Sequence, residues 1–319
     1  METHSANAPQ RRGRFAPSPT ADLHLGNLRT ALLAWLQARS RGAEFLLRIE
    51  DLDRGRVRDG LAERQLEDLR AIGLDWDGDP VRQCDRIELY EAALERFHNL
   101  GLVYRCFCSR RDISEAASAA HGDHPEGLYP GTCTLLSQTA SQQRADAGEE
   151  FALRLRCGQR VHTVTDTRHG PISRPLDDIV LVRRDGAFAY NLAVVVDDGD
   201  QVIGEVVRGD DLLASTTDQA HLFALLSLPE PIWTHVPLIL GPGGGRLAKR
   251  DGAVTMSDLA QKGVSREAIQ RWLLASLGLE PPTQGGLDRL ADGFDLTAVP
   301  ADPVIFEPDQ AVYGAFSSS

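Results

Sequence analysis

Apolar and polar positions divide the first hundred residues into alternating strand and helix signals. Gly13–Phe15 is short and exits into Pro17 and Pro19, which marks a strand end followed by a stiff loop. From Leu25 to Arg39, the residues Leu28, Leu32, Leu33, Trp35 and Leu36 recur at helical spacing and predict an amphipathic helix. Phe45–Ile49 is a compact apolar run suited to a buried strand, interrupted by Arg48 and followed at once by Asp51 and Asp53. A second helix is expected over Val57–Ala71, with Leu61, Leu66 and Leu69 as its apolar positions and Gly73 as its stop. Arg86–Leu100 is a further helix-rich stretch. The sequence of elements is that of an α/β fold with a parallel sheet. It places Pro17 to Gly26 and Glu50 to Asp53 at strand-to-helix transitions, where such sheets hold their ligands.

The character changes at Cys106. Up to about Arg184 the chain has close-set cysteines, a Gly/His/Pro loop, the polar run Ser137–Glu150 and short β-like pieces at Phe151–Leu155 and Ile179–Val182, as expected of an inserted module. The α/β signal resumes with the apolar run Phe188–Val196, which ends in Asp197 and Asp198. Val202–Val207, a helix over Leu212–Leu226, and Thr234–Leu240 follow, the last ending in the glycine-rich turn Gly241–Gly245. A final helical region is expected over Val264–Leu277. The expected organisation is therefore a tail (1–12), a first catalytic part (13–105), the inserted module (106–184), a second catalytic part (185–255) and a short helical region with a tail (256–319).

The 319 residues can bury a substantial core, and 42% hydrophobic with 25% charged residues is ordinary for a soluble globular chain. A formal charge of −12 gives no sign of nucleic-acid binding, although a local basic face could still supply it. Five cysteines, an odd number without a secretory signal, argue against a disulfide framework. No apolar stretch reaches the roughly 20 residues needed to cross a membrane, so a cytoplasmic protein without a membrane partner is expected.

Candidate chemistry begins in Arg14-Phe15-Ala16-Pro17-Ser18-Pro19-Thr20 and His24-Leu25-Gly26-Asn27. The prolines fix the backbone, Gly26 removes a side chain where a ligand could approach, and a helix start offers unpaired N–H groups to negative charge. His24 can donate to phosphate oxygen, and Arg14 can pair with a carboxylate. Read alone, these residues fit a proline-stiffened turn equally well. Together, however, they resemble the first signature of the class I aminoacyl-tRNA synthetases, in its glutamyl and glutaminyl branch. Leu47–Asp53, Asn191–Asp198 and Val207–Leu213 extend the resemblance in order, and Arg246-Leu247-Ala248-Lys249-Arg250 is similar in character to the second signature. Asn27 stands where many class I members have a second histidine, and Ala21 stands where glycine is common.

The resemblance implies a Rossmann-like catalytic domain that activates L-glutamate with ATP as its adenylate, with Mg2+ accompanying the nucleotide. It assigns ATP to His24, Gly26, Asn27 and Lys249, of which His24, Asn27 and Lys249 act on the transferring phosphate. It also assigns Arg14, Phe15, Ala16, Pro17 and Ser18 to the amino acid, Glu50 and Tyr190 to its ammonium and backbone end, and Arg208 to its side-chain carboxylate. A structural ion pair of Arg208 with Asp210 or Asp211 is the competing reading of that arginine.

The inserted module carries Cys106-x-Cys108 and Cys133. The chain also resembles the glutamyl-queuosine tRNA(Asp) synthetase family, which implies one structural Zn2+ held by Cys106, Cys108, Tyr129 and Cys133. On residue chemistry alone, His121 and His124 compete with Tyr129 for the fourth place. Cys84 and Cys157 read as ordinary thiols. About 70 residues follow the Lys249 loop, too few for a full anticodon-binding domain, which favours this short family over a standard glutamyl-tRNA synthetase. The implied acceptor is the queuosine base at the wobble position of tRNA(Asp), and a monomer is expected. A minimal glutamyl-tRNA synthetase charging the tRNA 3′ end and an inactive RNA-binding module are the alternatives.

Overall fold

The computed structural model describes residues 12–109, 111–113, 129–158, 160–245, 247 and 254–306. Strand β1 (Gly13–Phe15), helix α1 (Leu25–Ser40), β2 (Phe45–Ile49), α2 (Leu61–Ala71) and β3 (Val81–Arg82) form the first half, with β1, β2 and β3 paired in parallel. Helix α3 (Ile87–Asn99) leads to β4 (Val103–Cys106). After the short α4 (Gln138–Asp146), strands β5 (Ala152–Leu155) and β8 (Val180–Val182) join β4 in a small antiparallel sheet. The intervening hairpin, β6 (Val161–Asp166) and β7 (Gly170–Pro175), instead joins the sheet of the second half.

That half contains α5 (Tyr190–Asp200), β9 (Glu205–Gly209), α6 (Thr216–Leu226) and β10 (Ile232–Val236). β9 and β10 are parallel, and Trp233 of β10 pairs in parallel with Asp166 of β6. An isolated parallel bridge from Arg12 to Ile203, with Gly204 N–H donating to Arg12 O at 3.0 Å, brings β1 beside β9. The strand order is thus β3-β2-β1-β9-β10-β6-β7. Sequence order reverses between β1 and β9, and a crevice outside the carboxyl ends of those strands follows from that reversal.

Side-chain alternation explains how both faces are covered. Phe45, Leu47, Val207 and Val236 join one core with α1 and the C-terminal residues Ile269, Leu273 and Phe306. Their neighbours Leu46, Val206 and Trp233 join a second core with α3, α5 and α6. A period of two places successive residues on opposite faces, so each strand serves both cores. Buried Arg29 donates to Pro237 O after β10 (2.6 Å) and to Ser276 O of the C-terminal region (3.3 Å), and Arg168 pins that region through Leu296 O (2.7 Å).

The apolar run Phe188–Val196 mostly becomes α5, a helix buried along Leu192–Asp198, in spite of its valines. Its three carboxylates, Asp197, Asp198 and Asp200, fall near the helix C-terminus, where the backbone dipole opposes negative charge. Arginines compensate. The expected helix from Val57 begins at Leu61, because Val57 N–H bonds to Asp53 O in a turn and Gly60 adopts φ +71° just before the first helical residue. The helix expected from Leu212 starts with a 3-10 turn over Asp210–Ser215.

Arg48, with no exposed surface, donates to Asp198 Oδ1 (2.7 Å) and Gln201 Oε1 (2.8 Å) and lies 3.5 Å from Asp197. Removing one partner of a buried ion pair leaves the other charged and desolvated. Arg48→Met is expected to destabilise the fold by about 3–5 kcal/mol, read as a lowered urea midpoint. An unchanged midpoint would mean that the network contributes nothing net.

Candidate active site

The crevice at the reversal is a cleft of about 690 Å³. β1 and the loop after it line it with Arg14, Phe15, Ala16, Pro17 and Ser18; Glu50 directly follows β2; α5 begins with Tyr190; and β9 contributes Arg208. His24, Gly26 and Asn27 close the other end from the start of α1. The proline-bearing loop is tied to its surroundings. Glu50 N–H donates to Pro17 O (2.9 Å), Arg58 N–H to Pro19 O (3.2 Å), and the buried Gln65 amide to both Ser18 O (3.1 Å) and Ala21 O (2.7 Å).

His24 and Asn27 form a reciprocal cap on α1. The imidazole Nδ1 accepts from Asn27 N–H (3.2 Å), and His24 N–H donates to Asn27 Oδ1 (3.1 Å). With Nδ1 accepting, a neutral ring carries its proton on Nε2; with Oδ1 accepting, Asn27 has its NH2 group to give. Both side chains are therefore set as donors, the polarity that phosphate oxygens require. A Cβ at Gly26 would lie 2.9 Å from the His24 ring, so the glycine first of all makes room for this cap. Leu25 N–H donates to Val254 O (2.9 Å) and His24 bridges to Thr255, which ties the cap to the residues following the 248–253 segment.

Two arginines of the cleft, on β1 and β9, are held differently. Arg14 faces the Asp198 carboxylate through Nε (3.3 Å) and Nη2 (3.4 Å). Arg208, 5% exposed, donates to His235 Nε2 (2.9 Å), Gln219 Oε1 (2.7 Å) and Thr216 Oγ1 (2.9 Å), and stacks over Trp233 at 5.1 Å. Among the described residues no carboxylate pairs with it, so the structure does not bear out an ion pair with Asp210 or Asp211. Burial, with Arg14 adding to it, lowers its pKa, while Tyr190 and Asp198 oppose the shift.

Burial raises the Glu50 carboxyl to about 7, against the pull of Arg48 and Arg14. Tyr190 is 40% exposed because its ring lines the open cleft. Desolvation local to the hydroxyl, together with nearby Glu50, raises its pKa, opposed by Arg208 and Arg14. Beneath them, Asp197 accepts from Arg86 (2.6 Å), Gln83 (2.8 Å) and Tyr90 (3.0 Å).

A separate cluster lies in the small antiparallel sheet. The sulfurs of Cys106, Cys108 and Cys133 lie within 4.8 Å of one another, and they are the described cluster suited to holding a metal. Cys108 Sγ is 3.5 Å from Cys133 Sγ and 3.6 Å from the Tyr129 hydroxyl. Four thiolates or similar donors at about 2.3 Å from a tetrahedral ion would sit about 3.8 Å apart, so this set of three sulfurs and a phenol fits one thiophilic ion. Phe107 N–H points at Cys133 Sγ (3.4 Å), and Arg144 lies over the Phe107 ring at 4.3 Å. His121 and His124 lie outside the described residues.

A family model for the catalytic domain of class I (E and Q) tRNA synthetases matches residues 10–287. A "Glutamyl-Q tRNA(Asp) synthetase" of Nocardia farcinica is 55% identical over 293 residues, 92% of each chain. The chain belongs to the glutamyl-Q tRNA(Asp) synthetase family. A protein of that name from Symbiobacterium thermophilum is 45% identical over 92% of this chain and 94% of its own. The crystal structure of a glutamate tRNA ligase from Elizabethkingia meningosepticum, in complex with its amino acid, superposes with TM-score 0.79 at 29% identity, covering 95% of this chain and 68% of that one. The α/β core is thus the Rossmann-like catalytic fold of the class I synthetases, with a cysteine-cluster module.

Eleven residues singled out in the sequence, from Arg14 to Arg208, line one cleft. Lys249 lies outside the described residues. The supports beneath the cleft have no role assigned from the sequence: Arg48, Asp197 and Asp198 stand out there only by position, and His235 and Asp166 not at all. Arg48 carried a signal, since a lone arginine inside an apolar strand requires a buried carboxylate, and Asp197 and Asp198 end the next strongly apolar run. Asp166 and His235 carried none.

Proposed function

We propose that this chain activates L-glutamate with ATP, without requiring tRNA, and transfers the glutamyl group to the queuosine base at the wobble position of tRNA(Asp). The observation that carries the amino-acid step is Arg208, a buried guanidinium at the cleft wall whose partners are all neutral. A substrate carboxylate would be its counter-ion, and a neutral glutamine amide would satisfy it poorly. Glu50 and Tyr190 face the ammonium end, and Arg14 with Ser18 holds the substrate between them.

The α-carboxylate of glutamate attacks the α-phosphorus of ATP, pyrophosphate leaves, and a mixed anhydride forms. A queuosine hydroxyl then takes the glutamyl group and AMP departs. His24 and Asn27 donate to phosphate oxygens from the α1 N-terminus, and Lys249 adds a cation for the departing pyrophosphate, so catalysis here is positioning and charge stabilisation. Mg2+ would accompany the nucleotide and offset charge on its phosphates. Cys106, Cys108, Tyr129 and Cys133 would hold one structural Zn2+, which would contribute folding energy to the module. The 55% identity to the Nocardia protein supports the modified base as acceptor.

Glutamate-dependent ATP–pyrophosphate exchange should proceed without tRNA, and Arg208→Ala should raise the KM for glutamate at least about 30-fold. Absence of exchange would retire the reading, and an absolute tRNA requirement would retire its tRNA independence. Queuosine-containing tRNA(Asp) should be labelled in preference to the queuosine-free form and to tRNA(Glu); preference for tRNA(Glu) would move the reaction to the 3′ end. The Glu50 carboxyl, at about 7, lies above its unfolded value of 4.5. Its contribution to ligand-free stability is therefore full below about pH 4.5 and fades as pH rises through about 7. It pairs with ammonium once ionised, so the KM for glutamate should fall roughly tenfold from pH 6 to pH 8, and Glu50→Gln should flatten that profile. Protein purified without added metal should hold one zinc per chain by elemental analysis, lost in Cys133→Ser and Tyr129→Phe but kept in His124→Ala; the reverse pattern for the last two would replace Tyr129 with His124 as ligand.

A further inference from the structure

We propose that Asp166 and His235 form a buried relay that orients Arg208 toward the side-chain carboxylate of the substrate, making both of them positioning residues for amino-acid selection. This rests on the glutamate reading of the cleft.

Both residues are buried, and neither touches the cleft. Asp166 closes the β6–β7 turn: its Oδ1 accepts from the N–H groups of Arg168 and His169, each at 2.9 Å. Its Oδ2 accepts from His235 N–H (3.0 Å) and lies 2.7 Å from His235 Nδ1. On the other side of the ring, Nε2 lies 2.9 Å from Arg208 Nε. A carboxylate only accepts and a guanidinium only donates, so the imidazole between them has one consistent state: neutral, with the proton on Nδ1 and a lone pair on Nε2 facing Arg208. Burial and Arg208 hold the His235 pKa below its usual value, outweighing Asp166.

Gln219 repeats the device. Its Nε2 donates to Asn191 Oδ1 (3.0 Å), which turns its Oε1 toward Arg208. Arg208 is thus gripped by acceptors whose orientation is fixed from behind, while the negative charge of Asp166 stays one ring away. The arrangement orients the guanidinium without cancelling its charge. A carboxylate in direct contact would have neutralised it and left little to separate glutamate from glutamine.

His235→Asn and His235→Gln separate the two contacts. Asparagine can reach Asp166 but not Arg208; glutamine can place an oxygen near the Nε2 position and so keep the Arg208 contact. Glutamate-dependent ATP–pyrophosphate exchange should show the KM for glutamate raised roughly tenfold in His235→Asn, with the KM for ATP within about twofold of the parent, and largely restored in His235→Gln. Asp166→Asn, which turns the ring proton toward Arg208, should behave as His235→Asn; if it does not fold, the two His235 variants decide alone. Equal glutamate KM values for those two variants, or a KM for ATP that rises in step, would overturn the relay. Exchange by the unaltered chain is the control: its absence removes the functional reading and the relay with it, whereas its presence beside equal KM values removes the relay alone.

Discussion

Two arginines on neighbouring strands share one carboxylate: Asp198 of α5 receives Arg14 from β1 and Arg48 from β2, and the rest of the cleft is arranged around that triple. Without the carboxylate, two buried cations would face each other across β1 and β2. Without the arginines, Asp198 would sit uncompensated near the end of a buried helix. The triple therefore fixes α5 against the sheet, and α5 begins with Tyr190 in the cleft wall. The same arginines partly offset the burial of Glu50, which leaves that carboxyl near neutrality.

The charges around the cleft are graded. Arg14 is matched by a carboxylate and Arg208 by neutral acceptors, so the two guanidiniums present different residual charge although both are buried. At the start of α1, the helix cap does similar work with neutral groups: one imidazole nitrogen and one amide oxygen are spent on the helix backbone, and the donors remain. In each case the functional polarity is set by what occupies the opposite side of the group.

The α/β character, the cleft residues and the cysteine cluster were legible because they lie in short continuous motifs at strand ends. The supports were not, because each is a pairing across long stretches of chain: Asp166 with His235, Gln65 with the loop carbonyls of Ser18 and Ala21. The valines of Val194–Val196 illustrate the limit of local preference, since burial between a sheet and two other helices makes them helical. The hairpin β6–β7 lies within the span expected for the inserted module and adds strands to the catalytic sheet through Trp233 and Asp166. Neither strand of this hairpin is expected from the sequence, and local alternation does not carry which sheet receives it.

The long reach of the Asp198 triple bears on how the chain is made. Arg14 and Arg48 leave the ribosome together in the first βαβ unit, whereas their shared carboxylate follows 184 residues after the first and 150 after the second. Until then the emerging fragment has two cations at the future floor of the cleft and no buried anion from α5 to separate them. In the N-terminal half alone the two cations lack the carboxylate that separates them in the native fold, and the cleft wall is completed only when Tyr190 and Arg208 of the second half are in place.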